Sequence, residues 1–460
     1  MINTDEKRIQ LPDDAKKILD MLQSSGFEAY VVGGCVRDSL LGIEPKDWDI
    51  CTSAKPEEVI ACMGGLEVIK TGIKHGTVTV LVGKEPYEVT TYRTDGAYSD
   101  HRHPDEVFFT TSLFEDLSRR DFTINAMAYN EEEGLVDMFS GRDDLQRGII
   151  RCVGYPDLRF EEDALRVLRA LRFSSVYGFV IDGTTSNAIH RNARSLRRIA
   201  NDRIRDELVK LLAGKNAYEV LMAFSDVICE IIPEIGPCRG FVQNNPYHCY
   251  TVYGHIACAV GAYKGDDAAV NMALLLHDIG KPGCYTEDEN GGHFKGHAVA
   301  SAKKAQVILD RLHFDNKTFN NIFELVLYHD AELAATEKSV RRWLNRIGPV
   351  QFQRLLAVRN ADIAAHAPAT WEKNYAVTKQ ADELFAKILK EQQCFKMKDL
   401  KINGRDVIAL GVPEGETVGA VLSFLLESVL DGALKNEKEE LLRAAKEWIK
   451  KMYKENYRKE

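Results

Sequence analysis

The stretch Glu28-Ala29-Tyr30-Val31-Val32-Gly33-Gly34-Cys35-Val36-Arg37-Asp38 opens as a short apolar run, breaks at two glycines and carries an arginine about one helical turn later. An apolar run of this length bounded by glycine predicts a buried strand. Glycines that end a strand and open a helix let backbone N–H groups approach a phosphate, and Arg37 adds a guanidinium for its oxygens. Further out, Thr77-Val78-Thr79-Val80-Leu81-Val82 and Tyr87-Glu88-Val89-Thr90-Thr91-Tyr92 predict two more strands, joined by the turn Gly83-Lys84-Glu85-Pro86. Beyond residue 155 strand signals fade, and amphipathic patterns such as Ala164-Leu165, Val167-Leu168 and Leu171 continue to the C-terminus. The expected fold class is α+β: a small mixed-sheet head, then an all-helical neck, body and tail. Boundaries are expected at 1–150 for the head, 151–240 for the neck, 241–390 for the body and 391–460 for the tail.

A chain of 460 residues would ordinarily form two to four domains, each with its own core. A 45% hydrophobic and 28% charged composition is that of an ordinary soluble protein. The opening Met1-Ile2-Asn3-Thr4-Asp5-Glu6-Lys7-Arg8 carries charge where a signal peptide needs an apolar core, and no apolar run approaches the roughly 18 residues of a membrane span. A cytoplasmic protein with no membrane partner is expected. The ten cysteines are scattered with no zinc-ribbon spacing and are expected to be reduced. A net charge of −9 argues against a general nucleic-acid coat, but totals hide patches. Six arginines and one acid lie between His190 and Arg205, and seven basic residues, Arg443, Lys446, Lys450, Lys451, Lys454, Arg458 and Lys459, lie in the tail. The arginine stretch is a candidate contact for a phosphate backbone.

Three further clusters add chemistry to the glycine turn. Asp47 and Asp49 in Asp47-Trp48-Asp49 are one residue apart, so on a strand both carboxylates face one side and can share magnesium ions. Nucleotidyl transfer needs such a metal to bridge the triphosphate, activate the attacking hydroxyl and stabilise pyrophosphate. Glu88 is a candidate third carboxylate. Arg120, Asp121 and Asn125 in Arg119-Arg120-Asp121-Phe122-Thr123-Ile124-Asn125 are expected at a helix start continuing into Ala126-Met127-Ala128, suited to gripping sugar and phosphate. In Glu162-Asp163-Ala164-Leu165-Arg166 and beyond, Asp163, Arg166, Arg169 and Arg172 recur every three residues, so one helix would hold them near one face. A carboxylate beside a guanidinium offers an acceptor next to a donor. That matches the Watson–Crick edges of cytosine and adenine and rejects those of uracil and guanine. Together the clusters describe a template-independent nucleotidyltransferase. A rival from another class is a metal phosphohydrolase whose head merely binds RNA, and a third is a silent RNA-binding protein.

These motifs resemble the signatures of class II tRNA nucleotidyltransferases, the CCA-adding enzyme and poly(A) polymerase family. Tyr92-Arg93-Thr94 through Asp100-His101-Arg102-His103-Pro104 resembles the family's flexible loop, Val136-Asp137-Met138-Phe139-Ser140-Gly141 its hinge motif, and Asn201-Asp202-Arg203-Ile204 its last motif. The resemblance implies addition of C, C and then A from CTP and ATP to the 3′ end of tRNA. Gly34, Arg37, Arg120, Asp163, Arg166, Arg169 and Arg172 would hold the nucleotide, and Asp47 and Asp49 would hold Mg2+. CCA addition, terminal-A addition and poly(A) tailing share one chemistry, and the residues are compatible with each. The order His255, His277-Asp278, Asp362 resembles an HD phosphohydrolase domain, in which imidazoles and carboxylates converge on a divalent metal. His297, His329 and Asp330 are candidates for a second site there. The segment from Lys401 to Leu410, with Gly411, Gly415 and Gly419, resembles the tail of HD-containing members.

Overall fold

The computed structural model describes residues 8–96, 107–289 and 291–456, so residues 97–104 of the expected flexible loop lie outside the described residues. The head is built on a seven-stranded sheet whose strands are β1 (Ala29–Val32), β2 (Ile50–Thr52), β3 (Glu67–Ile69), β4 (Thr77–Val82), β5 (Glu85–Thr91), β6 (Met127–Asn130) and β7 (Gly134–Asp137). Their spatial order is β3-β4-β5-β2-β1-β6-β7. Every pairing is antiparallel except β2 with β5, which makes the sheet mixed. Along β4 the buried residues are Val78, Val80 and Val82, alternating with threonine and leucine as a half-buried strand requires. β1 is buried along its whole length, as befits a strand with neighbours on both edges and layers on both faces.

Three sequence expectations need correction. The turn between β4 and β5 is only Gly83-Lys84: Glu85 pairs with Val82 and Pro86 with Leu81, so both belong to the strand. Arg120–Asn125 does not open a helix. A single 3-10 turn, Thr123–Asn125, leads into β6, and Ala126-Met127-Ala128, good helix formers, are fully buried beside β1. Burial in the sheet outweighs a helix preference of a few tenths of a kcal/mol per residue. Nor is the remainder wholly helical. Ile149–Ile150 pairs with Val180–Ile181, and Thr286–Asp288 with Gly291–His293, ladders too short for any periodicity to reveal. The α+β class itself is what the structure has.

The chain divides into two compact units. One holds the residues up to Gly236 with Lys264–Asp266 and Ile308–Phe314; the other holds Pro237–Tyr263, Asp267–Val307 and the residues from Asp315 onward. In the first, the head is followed by helices Pro156–Glu162, Leu165–Tyr177, Gly183–Asn192 and Asn201–Leu212. In the second, helices Val252–Ala262, Ala268–Leu276, Asn316–Tyr328 and Glu337–Ala364 pack together. Helices Glu416–Leu430 and Lys438–Asn456 close the chain around their own apolar cluster, which includes Val407, Leu425 and Leu441. No helix among the described residues is long and apolar enough to cross a membrane.

Gly141, the last residue of the expected hinge motif, fixes how the helix Gly141–Arg147 seats against the 3-10 turn that carries Asn125. A Cβ at this position would lie 2.2 Å from the Thr123 carbonyl oxygen, while the Gly141 N–H donates to Asp137 Oδ1 at 2.9 Å. Backbone cannot yield as a flexible side chain does. Gly141→Ala should therefore cost about 1–3 kcal/mol, seen as a lower urea midpoint with an unchanged slope.

Candidate functional site

The head's site forms where β1 ends. Val32 N–H donates to the Asp49 carbonyl at 2.9 Å on one side, and Gly33 N–H donates to the Met127 carbonyl at 3.1 Å on the other. Gly33 has φ 80° and ψ −123° and caps the helix Gly34–Leu41. A Cβ there would come 3.1 Å from Arg120 Nη1, so glycine is required by both conformation and space. The helix N-terminus and its first N–H groups face the same place, a setting that favours an anion.

Arg37, in the first turn of that helix, is 7% exposed and held from several sides. Its Nη1 donates to Asn125 Oδ1 at 2.6 Å, and its Nε and Nη2 donate to the two carboxylate oxygens of Asp38 at 2.9 and 3.0 Å. Asn125 Nδ2 in turn donates to Asp121 Oδ1 at 3.0 Å, and Arg169 Nε donates to Asp121 Oδ2 at 2.8 Å. Arg120 and Arg119 both pair with buried Asp116, at 3.1 and 2.8 Å. Arg172 lies 2.6 Å from Glu207 and 4.0 Å above the Phe173 ring.

The acids Asp47 and Asp49 stand just before β2 rather than within it, which corrects the expectation of a strand; the ladder to β1 reaches only as far as the Asp49 carbonyl. Glu88 and Asp49 immediately precede the paired residues Val89 and Ile50 of adjacent parallel strands. Partial desolvation, then the like charges of Glu88 and Asp47, hold the Asp49 carboxyl above its ordinary range against the opposing Arg120. An acid raised by its neighbours in this way calls for a cation, and an all-oxygen set suits a hard divalent ion.

The expected single helix carrying Asp163, Arg166, Arg169 and Arg172 is two helices. Asp163 lies in the break between Pro156–Glu162 and Leu165–Tyr177, with φ −134° and ψ 102°. An aspartate favours such a position because its carboxylate can cap the next helix; Asp163 Oδ1 accepts from Leu165 N at 3.0 Å. Its other oxygen receives Arg203 at 3.2 Å, not Arg166. Arg166 instead donates to Glu162 at 2.6 Å and to the Arg119 carbonyl at 3.0 Å. Glu162, Arg203, Asp116 and Glu207 thus join the expected Asp121 and Asn125 in one network of partners for the arginines and Asp163. Glu162 and Arg203 lay inside quoted motifs, whereas Asp116 and Glu207 carried no signal in the sequence. The arginine stretch after His190 is partly neutralised by its own unit: Arg191 pairs with Asp157 and Arg197 with Glu230, while Arg194 is 87% exposed.

In the second unit His255, His277, Asp278 and Asp362 do converge. His255 Nε2 is 2.8 Å from Asp362 Oδ1 and 3.3 Å from Asp278 Oδ2, and His277 Nε2 is 3.3 Å from that same Asp278 oxygen. The other Asp278 oxygen faces His297 Nε2 at 3.3 Å and His329 Nε2 at 3.6 Å. Asp330 stands apart, two-thirds exposed and 3.9 Å from the far side of His297. All four imidazoles have Nδ1 on a backbone carbonyl, at 2.7 to 3.1 Å: Ala365 for His255, Leu274 for His277, Phe294 for His297 and Val326 for His329. That contact selects the tautomer whose Nε2 lone pair points inward. The Nε2 atoms of His255 and His277 stand 3.2 Å apart, as do those of His297 and His329. Asp278 Oδ2 also pairs with Lys281 Nζ at 2.6 Å, so this buried carboxylate is faced by four imidazoles and one ammonium. Burial lowers His277, yet Asp278 and Asp362 more than offset it and raise it to about 10. The donor set fits a borderline divalent ion. The cluster opens on a cavity of about 730 Å³ that Lys281, Lys295, Tyr247 and His366 help to line. His248 and His366, absent from the sequence-derived set, extend the imidazole cluster around His255.

A nucleotidyltransferase head is the class that this sheet and its acids define, and comparisons agree. A family model described as the poly A polymerase head domain matches residues 29–151, one described as a probable RNA- and SrmB-binding site of polymerase A matches 178–235, and one described as tRNA nucleotidyltransferase domain 2 matches 297–445. The CCA-adding enzyme of Ligilactobacillus salivarius is 33% identical over 454 residues, covering 95% of this chain and 98% of that protein. That of Limosilactobacillus reuteri is 34% identical over 445 residues, covering 96% and 98%. The crystal structure of the Bacillus stearothermophilus CCA-adding enzyme in complex with CTP matches with a TM-score of 0.73 at 30% identity, over 97% of this chain and all of that one. The chain belongs to the CCA-adding enzyme family of tRNA nucleotidyltransferases.

Asp121 supplies a test of the network. Burial would raise its carboxyl, but Arg169 and the Asn125 amide outweigh burial and lower it from 3.8 to about 2. A depressed carboxylate stabilises fully above its unfolded value and loses that contribution as pH falls through the folded one. The contribution is about 2 kcal/mol, of which about half is lost between about pH 5 and about pH 3. In urea titrations across that range, Asp121→Asn should be less stable than the parent at the higher pH and should lack this part of the pH dependence.

Proposed function

We propose that the head performs its family's reaction, adding C, C and A from CTP and ATP to the 3′ end of tRNA, with the residues at the end of β1 in defined roles. Gly34, Arg37 and Arg120 hold the triphosphate. Asp47 and Asp49 hold Mg2+, with Glu88 as a third acid. Asp163, Arg166, Arg169 and Arg172 hold the nucleotide's remaining parts, Asp163 and Arg166 at the base. Bound there, Mg2+ supplies the charge that bridges the triphosphate, lowers the pKa of the tRNA 3′-hydroxyl and stabilises leaving pyrophosphate. The observation that carries this reading is the stitching of β1 to both Asp49 and Met127, which brings acids, glycine turn and clamp to one place. Arg166 and Asp163 offer a donor and an acceptor, each already engaged by Glu162 and Arg203. A base that reads them must take over those contacts, which ties selection to rearrangement of the pair. A cytoplasmic setting belongs to this proposal and rests on the tRNA substrate.

A second activity is proposed for the histidine cluster, because inward-fixed imidazoles around the buried Asp278 carboxylate suit a divalent metal. His255, His277, Asp278 and Asp362 would hold one ion, and Asp278, His297 and His329 a second. Bound there, the metal supplies an activated water for phosphate-ester hydrolysis. Lys281, whose Nζ is 2.6 Å from Asp278 Oδ2, and Lys295 make the cavity suitable for an anion.

Two sets of variants separate the sites. Asp47→Asn and Asp49→Asn should each lower incorporation of labelled CTP and ATP into tRNA lacking its CCA end by at least about a thousandfold, with metal content of the purified protein retained. His277→Ala and Asp278→Ala should lose the transition metal, read by elemental analysis, and any hydrolysis of bis(p-nitrophenyl) phosphate, while incorporation continues. Full incorporation by the Asp47 and Asp49 variants contradicts the first assignment. Metal content unchanged in the His277 and Asp278 variants contradicts the second.

A further inference from the structure

Tyr177 is the last residue of the helix Leu165–Tyr177, 139 residues from Asp38, yet its hydroxyl donates to Asp38 Oδ1 at 2.9 Å. That oxygen also accepts from Arg37 Nε, and Asp38 Oδ2 accepts from Arg37 Nη2. Adjacent residues diverge by about 100° around a helix axis, and the two-point pairing of Arg37 with Asp38 receives support from outside the helix. Two outside groups supply it: the Tyr177 hydroxyl on Asp38, and Asn125 Oδ1 on Arg37 Nη1 at 2.6 Å. The rings of Phe173 and Tyr177, stacked with centroids 6.0 Å apart, lie 5.1 and 4.9 Å from the guanidinium carbon. Edge and face of the cation are thus both fixed. Three of the five N–H groups of a guanidinium are engaged in these bonds, and the remaining two are available to a phosphate.

We infer that Tyr177 is a positioning residue for nucleotidyl transfer. Through Asp38 it aims the Arg37 guanidinium at the triphosphate, and it does so from the end of the same helix whose start lies beside Asp163 and Arg166. The inference rests on the assignment of Arg37 to the triphosphate made above. It predicts an effect common to both nucleotides, because the triphosphate is what CTP and ATP share, and none on the choice between them.

Tyr177→Phe keeps the ring over Arg37 and removes only the hydroxyl. The expected result is a fall of about tenfold in kcat/KM for CTP and ATP alike, expressed mainly in KM, with an unchanged ratio between the two nucleotides. Inorganic tripolyphosphate, which has neither base nor sugar, should inhibit the variant about tenfold more weakly. A purely structural role would not move that constant in a protein whose melting temperature matches the parent's. Asp38→Asn should weaken tripolyphosphate inhibition too, and the double variant should be no worse than Asp38→Asn alone. Arg37→Gln is the control on the premise. If Arg37→Gln weakens tripolyphosphate inhibition and Tyr177→Phe does not, or if Tyr177→Phe affects one nucleotide only, the role of Tyr177 is refuted and that of Arg37 stands. If Arg37→Gln has no effect, the triphosphate assignment fails and the inference falls with it.

Discussion

Two backbone hydrogen bonds at the end of β1 organise the head: Val32 to Asp49 and Gly33 to Met127. They join three separated stretches of chain within a few residues of a helix N-terminus. Each stretch brings chemistry of a different kind, acids from one side, a helix start in the centre and the Asp121–Asn125 clamp from the other. Backbone bonds in a fully buried strand are costly to leave unmade, so this meeting point is as robust as the sheet itself. The side chains can exchange partners while the frame stays in register.

Charge is arranged around that frame in pairs, most of whose members come from distant segments. Arg37 is shared by Asp38 and Asn125, Arg169 by Asp121, Arg172 by Glu207, and Asp163 by Arg203. Buried arginines without such acids would cost several kcal/mol each. The acids make the arginines tolerable without neutralising their geometry, because a planar guanidinium with one edge engaged still presents N–H groups on the other. A polyanionic ligand meets cations already desolvated and oriented, which limits the reorganisation that binding requires.

Sequence made the sheet legible where alternation was regular, as in β4, and where apolar residues ran into glycine, as in β1. It failed where burial overrode intrinsic preference, as in Ala126-Met127-Ala128. It failed again where one residue interrupted a helical pattern, as Asp163 does. The candidate metal ligands were visible, since Asp47, Asp49, His255, His277, Asp278 and Asp362 occur in recognisable order. Their partners were not. Tyr177 lies 139 residues from Asp38 and Arg203 lies 40 from Asp163, and no local pattern encodes such pairs. The same holds for His248 and His366, which reach the cluster around His255 only through the packing of its helices.

The central claim is that the end of β1 joins a triphosphate cradle to a carboxylate metal site. A crystal structure with CTP and Mn2+, using anomalous scattering to locate the metal, tests it most directly. The account predicts manganese bound to the Asp47 and Asp49 carboxylates, with phosphate oxygens against the Gly33-Gly34 turn and Arg37. Manganese away from both aspartates, or a triphosphate that leaves the glycine turn untouched, would contradict it.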